Sequence, residues 1–252
     1  MRACALALAV WPALAGAQTI TGAEFIDPTT RYGHGILGDA VEWGGLEVTT
    51  QGGAADTGLT LRGLRKSTWL IELPQHQVFE DFAPRLWDLT GDGLPEVVVV
   101  QTHVDFGARL LVVGNADGRK PSVIGQTPYI GQTHRWLAPI GAADLDGDGL
   151  IEVAYVDRPH LAKVLTVWRF VDGALEPVAT TPGLTNHRIG ETDIAGGIRD
   201  CGQGPEMITA NADWTRIEST VLRDGSLVSR DIGAHVDRAT FAAAMRCETL
   251  KD

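Results

Sequence analysis

The chain has 252 residues, 32 acidic against 21 basic, a formal net charge of −11 and a hydrophobic content of 44%. That acidic balance repels polyanions, which argues against nucleic acid and anionic membrane surfaces as partners. The longest apolar run is shorter than the ~20 residues a membrane span needs.

Arg2, the apolar run Ala3–Leu14 and the small-x-small pattern Ala15-Gly16-Ala17 read as a secretory signal over residues 1–17. The expected localisation is therefore secreted or periplasmic, with residues 18–252 forming one domain, expected to be monomeric. Without residues 1–17, 20 basic residues face 32 acidic ones, and a net charge of −12 suits cation binding. Thr19–Thr30 is expected to supply a strand that completes a neighbouring blade. "GHGILG" (33–38) matches GxGxxG, but no strand precedes it and no helix pattern follows, so a dinucleotide site is excluded.

Four glutamates, Glu47, Glu96, Glu152 and Glu206, each open an apolar run and are separated by 49, 56 and 54 residues. That period matches one four-stranded blade of a propeller, and no sustained helical periodicity lies between the anchors. The repeat units are placed at about 32–73, 84–126, 134–180 and 187–231. The expected class is all-β, a small propeller of four to five four-stranded blades with a short C-terminal helix. Asp172-Gly173, Asp224-Gly225 and the stretch Asn115–Gly118 are the hairpin turns of successive units, since glycine accepts the positive φ such turns demand. Trp43, Trp69, Trp87, Trp136, Trp168 and Trp214 are read as filler between sheets. "DRATFAAAMRC" (237–247) reads as a short amphipathic helix in a terminal clasp, 237–252. In an oxidising compartment Cys201 and Cys247 are expected to form one disulfide, the alternative being two unpaired thiols.

The chemistry is concentrated in two loops. In "DLDGDGLIE", Asp144, Asp146 and Asp148 place carboxylates at alternate positions, Leu150 offers a carbonyl and Glu152 closes the set. Asp88, Thr90, Asp92, Leu94 and Glu96 repeat the pattern with one hydroxyl in place of a carboxylate, which makes that site the weaker. Hard oxygens at this count suit Ca²⁺, while the absence of histidine and sulfur argues against zinc and copper. An EF-hand is excluded, because its glutamate comes at loop position 12 between helices. The alternative is a metal-free network in which the aspartates accept backbone N–H bonds. Val41 and Trp43 in the first unit, and Ile198 and Gly202 in the fourth, remove ligands, leaving Asp200 and Glu206 in the latter.

The pattern resembles the FG-GAP/VCBS-type repeat of integrin-alpha-like propellers, with residues 139–180 and 84–126 the better matches. The resemblance implies a β-propeller with calcium held between adjacent strands by Asp144, Asp146, Asp148, Glu152, Asp88, Asp92 and Glu96. Function is then expected to be that of a calcium-binding interaction module for an extracellular protein or glycan. An extracellular hydrolase or lyase with a site on the central face is the alternative. Candidate positions for a ligand face are His34, His76, His134 and His187, each expected just before a first strand. Asp157 and Arg158 join them, with Gln101, His103, His160, Asn211, Asp213 and Arg216 on loops after the second strands.

Overall fold

The computed structural model describes residues 18–52, 65–115, 118 and 120–251. The proposed signal segment, 1–17, lies outside the described residues. The elements are β1 (Gln18–Thr29), β2 (Glu42–Gly52), β3 (Arg65–Glu72), β4 (Gln77–Phe79), β5 (Arg85–Trp87), β6 (Glu96–His103), β7 (Gly107–Gly114) and β8 (Ser122–Gln126). They continue as β9 (Leu137–Ala143), β10 (Glu152–Asp157), β11 (Val164–Val171), β12 (Ala174–Pro182), β13 (Leu184–Thr185), β14 (Gly197–Asp200), β15 (Pro205–Asn211), β16 (Arg216–Arg223), β17 (Ser226–Ala234) and α1 (Arg238–Met245). The class is all-β with one short C-terminal helix, as the sequence predicts.

Units three and four are antiparallel meanders of the expected kind, β9 to β12 and β13/β14 to β17. Unit two is built the same way, except that its first strand is split. β4 pairs with the far end of β6 and β5 with the near end, and Glu80–Pro84 interrupts them. The first unit departs in part from the sequence reading. β1 pairs with β2 over its whole length and β3 flanks β2 on the other side, so Thr19–Thr29, which precedes the unit placed at 32–73, adds a strand to that neighbouring unit as expected. That unit has three strands among the described residues, and a bridge from Trp43 to Phe79 joins it to unit two in one continuous sheet. Glu47 lies inside β2, whereas Glu42 is its first residue, as Glu96 and Glu152 are of β6 and β10, so the anchor of unit one is Glu42 and not Glu47.

The sheets stack in chain order, and the second strands explain why. A short continuous apolar run suits a strand buried on both faces. In "EVVVVQTH", Val97 and Val99 pack with Leu46 and Val48 of unit one and with Phe79 of β4, while Val98 and Val100 pack with Leu137, Val153 and Tyr155 of unit three. Fully burying such a side chain contributes about 1.5–3 kcal/mol relative to leaving it in water. Ala154, Leu165 and Val167 meet Leu184, Met207 and Leu222 across the next interface. The outer face of unit four is covered by α1 through Phe241 and Ala244. Asp237 caps the helix and exchanges hydrogen bonds with Thr240. All six predicted tryptophans lie in or against these clusters. Cys201 and Cys247 are disulfide-bonded, with Cα atoms 5.7 Å apart. Asp172-Gly173 and Asp224-Gly225 turn their hairpins with both residues at positive φ, 50° and 78° in the first and 49° and 70° in the second. Among the described residues, no helix is long and apolar enough to cross a membrane.

Candidate functional site

Antiparallel pairing sends the two kinds of loop to opposite ends of the sheets. The acidic loops link first to second strands, so they lie beside Glu96 and Glu152. Leu137, the first residue of β9, pairs with Asp157, the last of β10. The segments before β9 and after β10 therefore share the other end.

At the acidic end, the second and third loops are built alike. Asp144 accepts from the N–H groups of Gly147, Asp148 and Gly149 at 2.7, 3.1 and 3.0 Å, and Glu152 Oε2 from Leu145 N–H at 2.8 Å. Asp88 accepts from Gly91 and Gly93 at 2.7 and 2.8 Å, and Glu96 Oε2 from Leu89 at 2.7 Å. Burial pushes both glutamates above the usual carboxylate range, against the pull of those bonds.

The two loops differ in what answers their charge. Arg169 pairs across the sheet with Glu152, and its guanidinium reaches Glu152 Oε1 at 2.5 Å, Asp146 Oδ2 at 2.6 Å and Asp148 Oδ2 at 2.9 Å. Asp144, Asp146 and Glu152 form the only group of three ligand oxygens within 4.8 Å of one another among the described residues. Three of the oxygens a calcium ion would need in this loop are thus already taken by a cation, so the residues as arranged do not fit an ion beside Arg169. In unit two the position facing the glutamate belongs to Gly114, where an added Cβ would stand 3.2 Å from Glu96 Cγ. Among the described residues no arginine or lysine pairs with Asp88, Asp92 or Glu96, and these carboxylates do not form a group of three ligand oxygens within 4.8 Å of one another. Thr90 lies at 3.5 Å from Glu96 Oε1, and Leu94 and Leu150 donate their N–H groups to Asp92 and Asp148. The partner strand thus distinguishes two loops whose backbones are alike. In unit four Asp200 caps Gly202 and Gly204, while Arg199 and Arg230 hold Glu206.

The opposite end carries a cavity of about 240 Å³. His34 and Ile36 reach it from the segment between β1 and β2, His134, Arg135 and Trp136 from the approach to β9, Arg158, His160 and Leu161 from the loop after β10, and Ile189 from unit four. A bond from Gly190 N–H to the Ile36 carbonyl, 2.9 Å, ties the first unit to the fourth across this end. Two of the four histidines singled out in the sequence, His34 and His134, line it, and a third, His187, sits behind it. The rings of His34 and His134 are 5.1 Å apart, and buried His187 bonds His160 at 2.9 Å. His34 lies between β1 and β2 and not before a first strand. His76 is elsewhere, packed with His103, Phe106 and Tyr129. Gln101 binds Gln77 and Arg109, and Asn211 and Asp213 hold the turn to Thr215, so these are structural roles.

Hydrogen bonds fix the chemistry of the rings. The Glu191 carbonyl can only accept, so His187 Nε2, 3.1 Å away, carries a proton and its Nδ1 accepts from His160 Nε2. That leaves His160 Nδ1 with a free lone pair. Burial, reinforced by His187, holds His160 down to about 4, and burial together with Arg135 does the same to His34. His34 Nδ1 sits 2.5 Å from Glu80 Oε1, and Thr102 donates to the other oxygen of that carboxyl at 2.6 Å. Glu80 is fully buried and pushed up to about 8, so its O–H donates to a neutral imidazole. Beside it, Glu42 is raised to about 9 by burial and by Glu80, and its Oε2 has no hydrogen-bond partner. Arg158 is neutralised by Asp157 through bonds of 2.8–3.1 Å. His134 and Arg158 have φ of 53° and 47°, a left-handed backbone that costs a non-glycine residue about 1–3 kcal/mol and clusters at functional sites.

The raised carboxyls make a pH prediction. Their neutral forms stabilise the fold fully below the ordinary value of 4.5, and that stability is lost as pH rises through about 8 for Glu80 and about 9 for Glu42. The melting temperature is expected to fall from pH 7 to pH 10, and Glu42→Gln to flatten that fall. A wild-type profile that is level over this range contradicts the assignment.

Arg135, Glu80 and Ile189 were not singled out in the sequence, and Trp136 was read there only as filler between sheets. Arg135-Trp136 directly follows His134 and could have been taken with it, but nothing local marks Glu80 or Ile189. Residues 88–155 match the FG-GAP-like repeat family model, a span from the first aspartate of the second-unit loop to Tyr155 in β10. No curated protein matches the chain.

Proposed function

We propose that this chain is a repeat-built interaction module that takes its ligand in the histidine–arginine cavity, at the end of the sheets opposite the acidic loops. The observation that carries this is the convergence of three separate chain segments and unit four on one cavity, with two non-glycine residues held in left-handed conformations at its wall. Polar groups on loops of a rigid scaffold are where binding usually resides. Calcium belongs to the same proposal as a structural ion of the second-unit loop, held by Asp88, Asp92 and Glu96. There it would neutralise carboxylates that have no guanidinium partner. The signal-like N-terminus and the disulfide support an extracytoplasmic setting.

The test is a fragment screen followed by NMR on protein with labelled histidines. Shifts are expected at His34, His134 and His160, with His76, His103 and His235 serving as internal controls. Hits that move only the control histidines, or none, would refute the site. A hydrolytic reading has one observation in its favour, the Glu80–His34 pair, which orients an imidazole at the cavity wall. It requires ester or glycoside turnover that His34→Gln abolishes.

A further inference from the structure

We propose that the cavity is selective for a small monocarboxylate with an apolar body, an inference that rests on the site assigned above. The charge balance sets the anion. Arg158 is matched by Asp157, and the imidazoles of His34 and His160 are held neutral by burial. Arg135 remains: its guanidinium donates only to the His134 and Thr133 carbonyls, and no carboxylate among the described residues lies within ion-pair reach. The wall thus offers one uncompensated positive charge, held in place by its own loop. A carboxylate answers it with one charge and a bidentate geometry that guanidinium favours. Phosphate or sulfate would bring a second negative charge with no second free cation to meet it.

The walls set the body. Leu161 is 63% and Ile189 67% exposed, and buried Ile36 also lines the cavity. Large apolar side chains left open beside a cavity contribute to affinity when a ligand covers them. A volume of about 240 Å³ admits a single ring or a short branched chain, below the ~300–1,000 Å³ of pockets for drug-sized ligands. The carboxylate therefore sits toward Arg135 and the apolar part toward Leu161 and Ile189.

Benzoate, benzamide and inorganic phosphate are the probes, read by calorimetry and by the histidine resonances of the whole chain. Benzoate is expected to bind saturably and to shift His34 and His134. Benzamide, the neutral isostere, should bind at least 10-fold more weakly, and phosphate should not bind. Arg135→Gln should lower benzoate affinity by 10-fold or more with an unchanged melting temperature, and Ile189→Ser should weaken it by several fold. Benzamide binding as tightly as benzoate, or Arg135→Gln binding benzoate undiminished, overturns the ligand class while leaving the site standing. If no probe moves the cavity histidines, while a fragment hit does, the class again fails alone. If nothing moves them, both fail.

Discussion

Arg169→Gln is expected to lower the stability of the protein by about 3 kcal/mol, the lower end of the cost of removing one partner from a buried ion pair. The reason is local. Glu152 has a fully buried carboxylate, and the Arg169 side chain, about a fifth exposed, is the only cation on it. Glutamine keeps most of the stem but leaves Asp146, Asp148 and Glu152 uncompensated around one point. For a domain of this size each kcal/mol is worth ~2–4 °C, so the melting temperature should drop by about 6–12 °C. Calcium then separates the two loops. In the wild type, any stabilisation by millimolar Ca²⁺ over EGTA should disappear with Asp92→Asn, because the third loop already holds its cation. In Arg169→Gln, calcium should recover much of the lost stability, since two of the freed groups, Asp146 and Glu152, belong with Asp144 to the set gathered within 4.8 Å. Adding Asp146→Asn should recover part of it without any ion. An Arg169→Gln variant that melts with the wild type, or a wild-type calcium response that Asp92→Asn leaves untouched and Asp148→Asn removes, would defeat this account.

The same loop shows how far a sequence can be read. Its conformation was legible, because aspartate and glycine at fixed spacing dictate the N–H bonds and the positive φ angles that the structure contains. Its electrostatics were not. Arg169 is 17 residues from Glu152 and reaches it only through the β10–β11 register, which periodicity does not encode. Units two to four were legible for a related reason: their second strands are continuous apolar runs, buried on both faces. Unit one escaped because its central strand, "EWGGLEVTTQG", alternates burial like a strand near the end of a stack, and Glu47 mimicked an anchor from inside it. The cavity was half legible. Histidines before first strands and polar residues after second strands were both visible, but only antiparallel pairing shows that these positions share one end. Glu80 lies in the break between β4 and β5, which resembles an ordinary loop until Trp136 and Thr102 are seen to hold it.

Replacing Cys201 and Cys247 together by serine is expected to cost about 4 kcal/mol, since in the chain-entropy account a bridge across 46 residues restricts the unfolded chain by that amount. At ~2–4 °C per kcal/mol this is a fall of about 8–16 °C in melting temperature. What the bond secures in the folded state is the clasp. α1 covers the face of unit four with Phe241 and Ala244, Arg199 donates to the Ala244 carbonyl, and Lys251 accepts from Ala234 N–H at 3.0 Å. Those contacts remain in the serine variant, so the helix should still dock, but through a tether that can open locally without unfolding the stack. Hydrogen exchange therefore distinguishes two effects. Loss of protection in α1 and in β15 and β16, beyond the global fall, means the bond also restrains the clasp in the native state. A uniform fall across all units means its action lies entirely in the unfolded chain. A variant as stable as the wild type, with α1 equally protected, would show that neither holds and that packing alone seals the end of the stack.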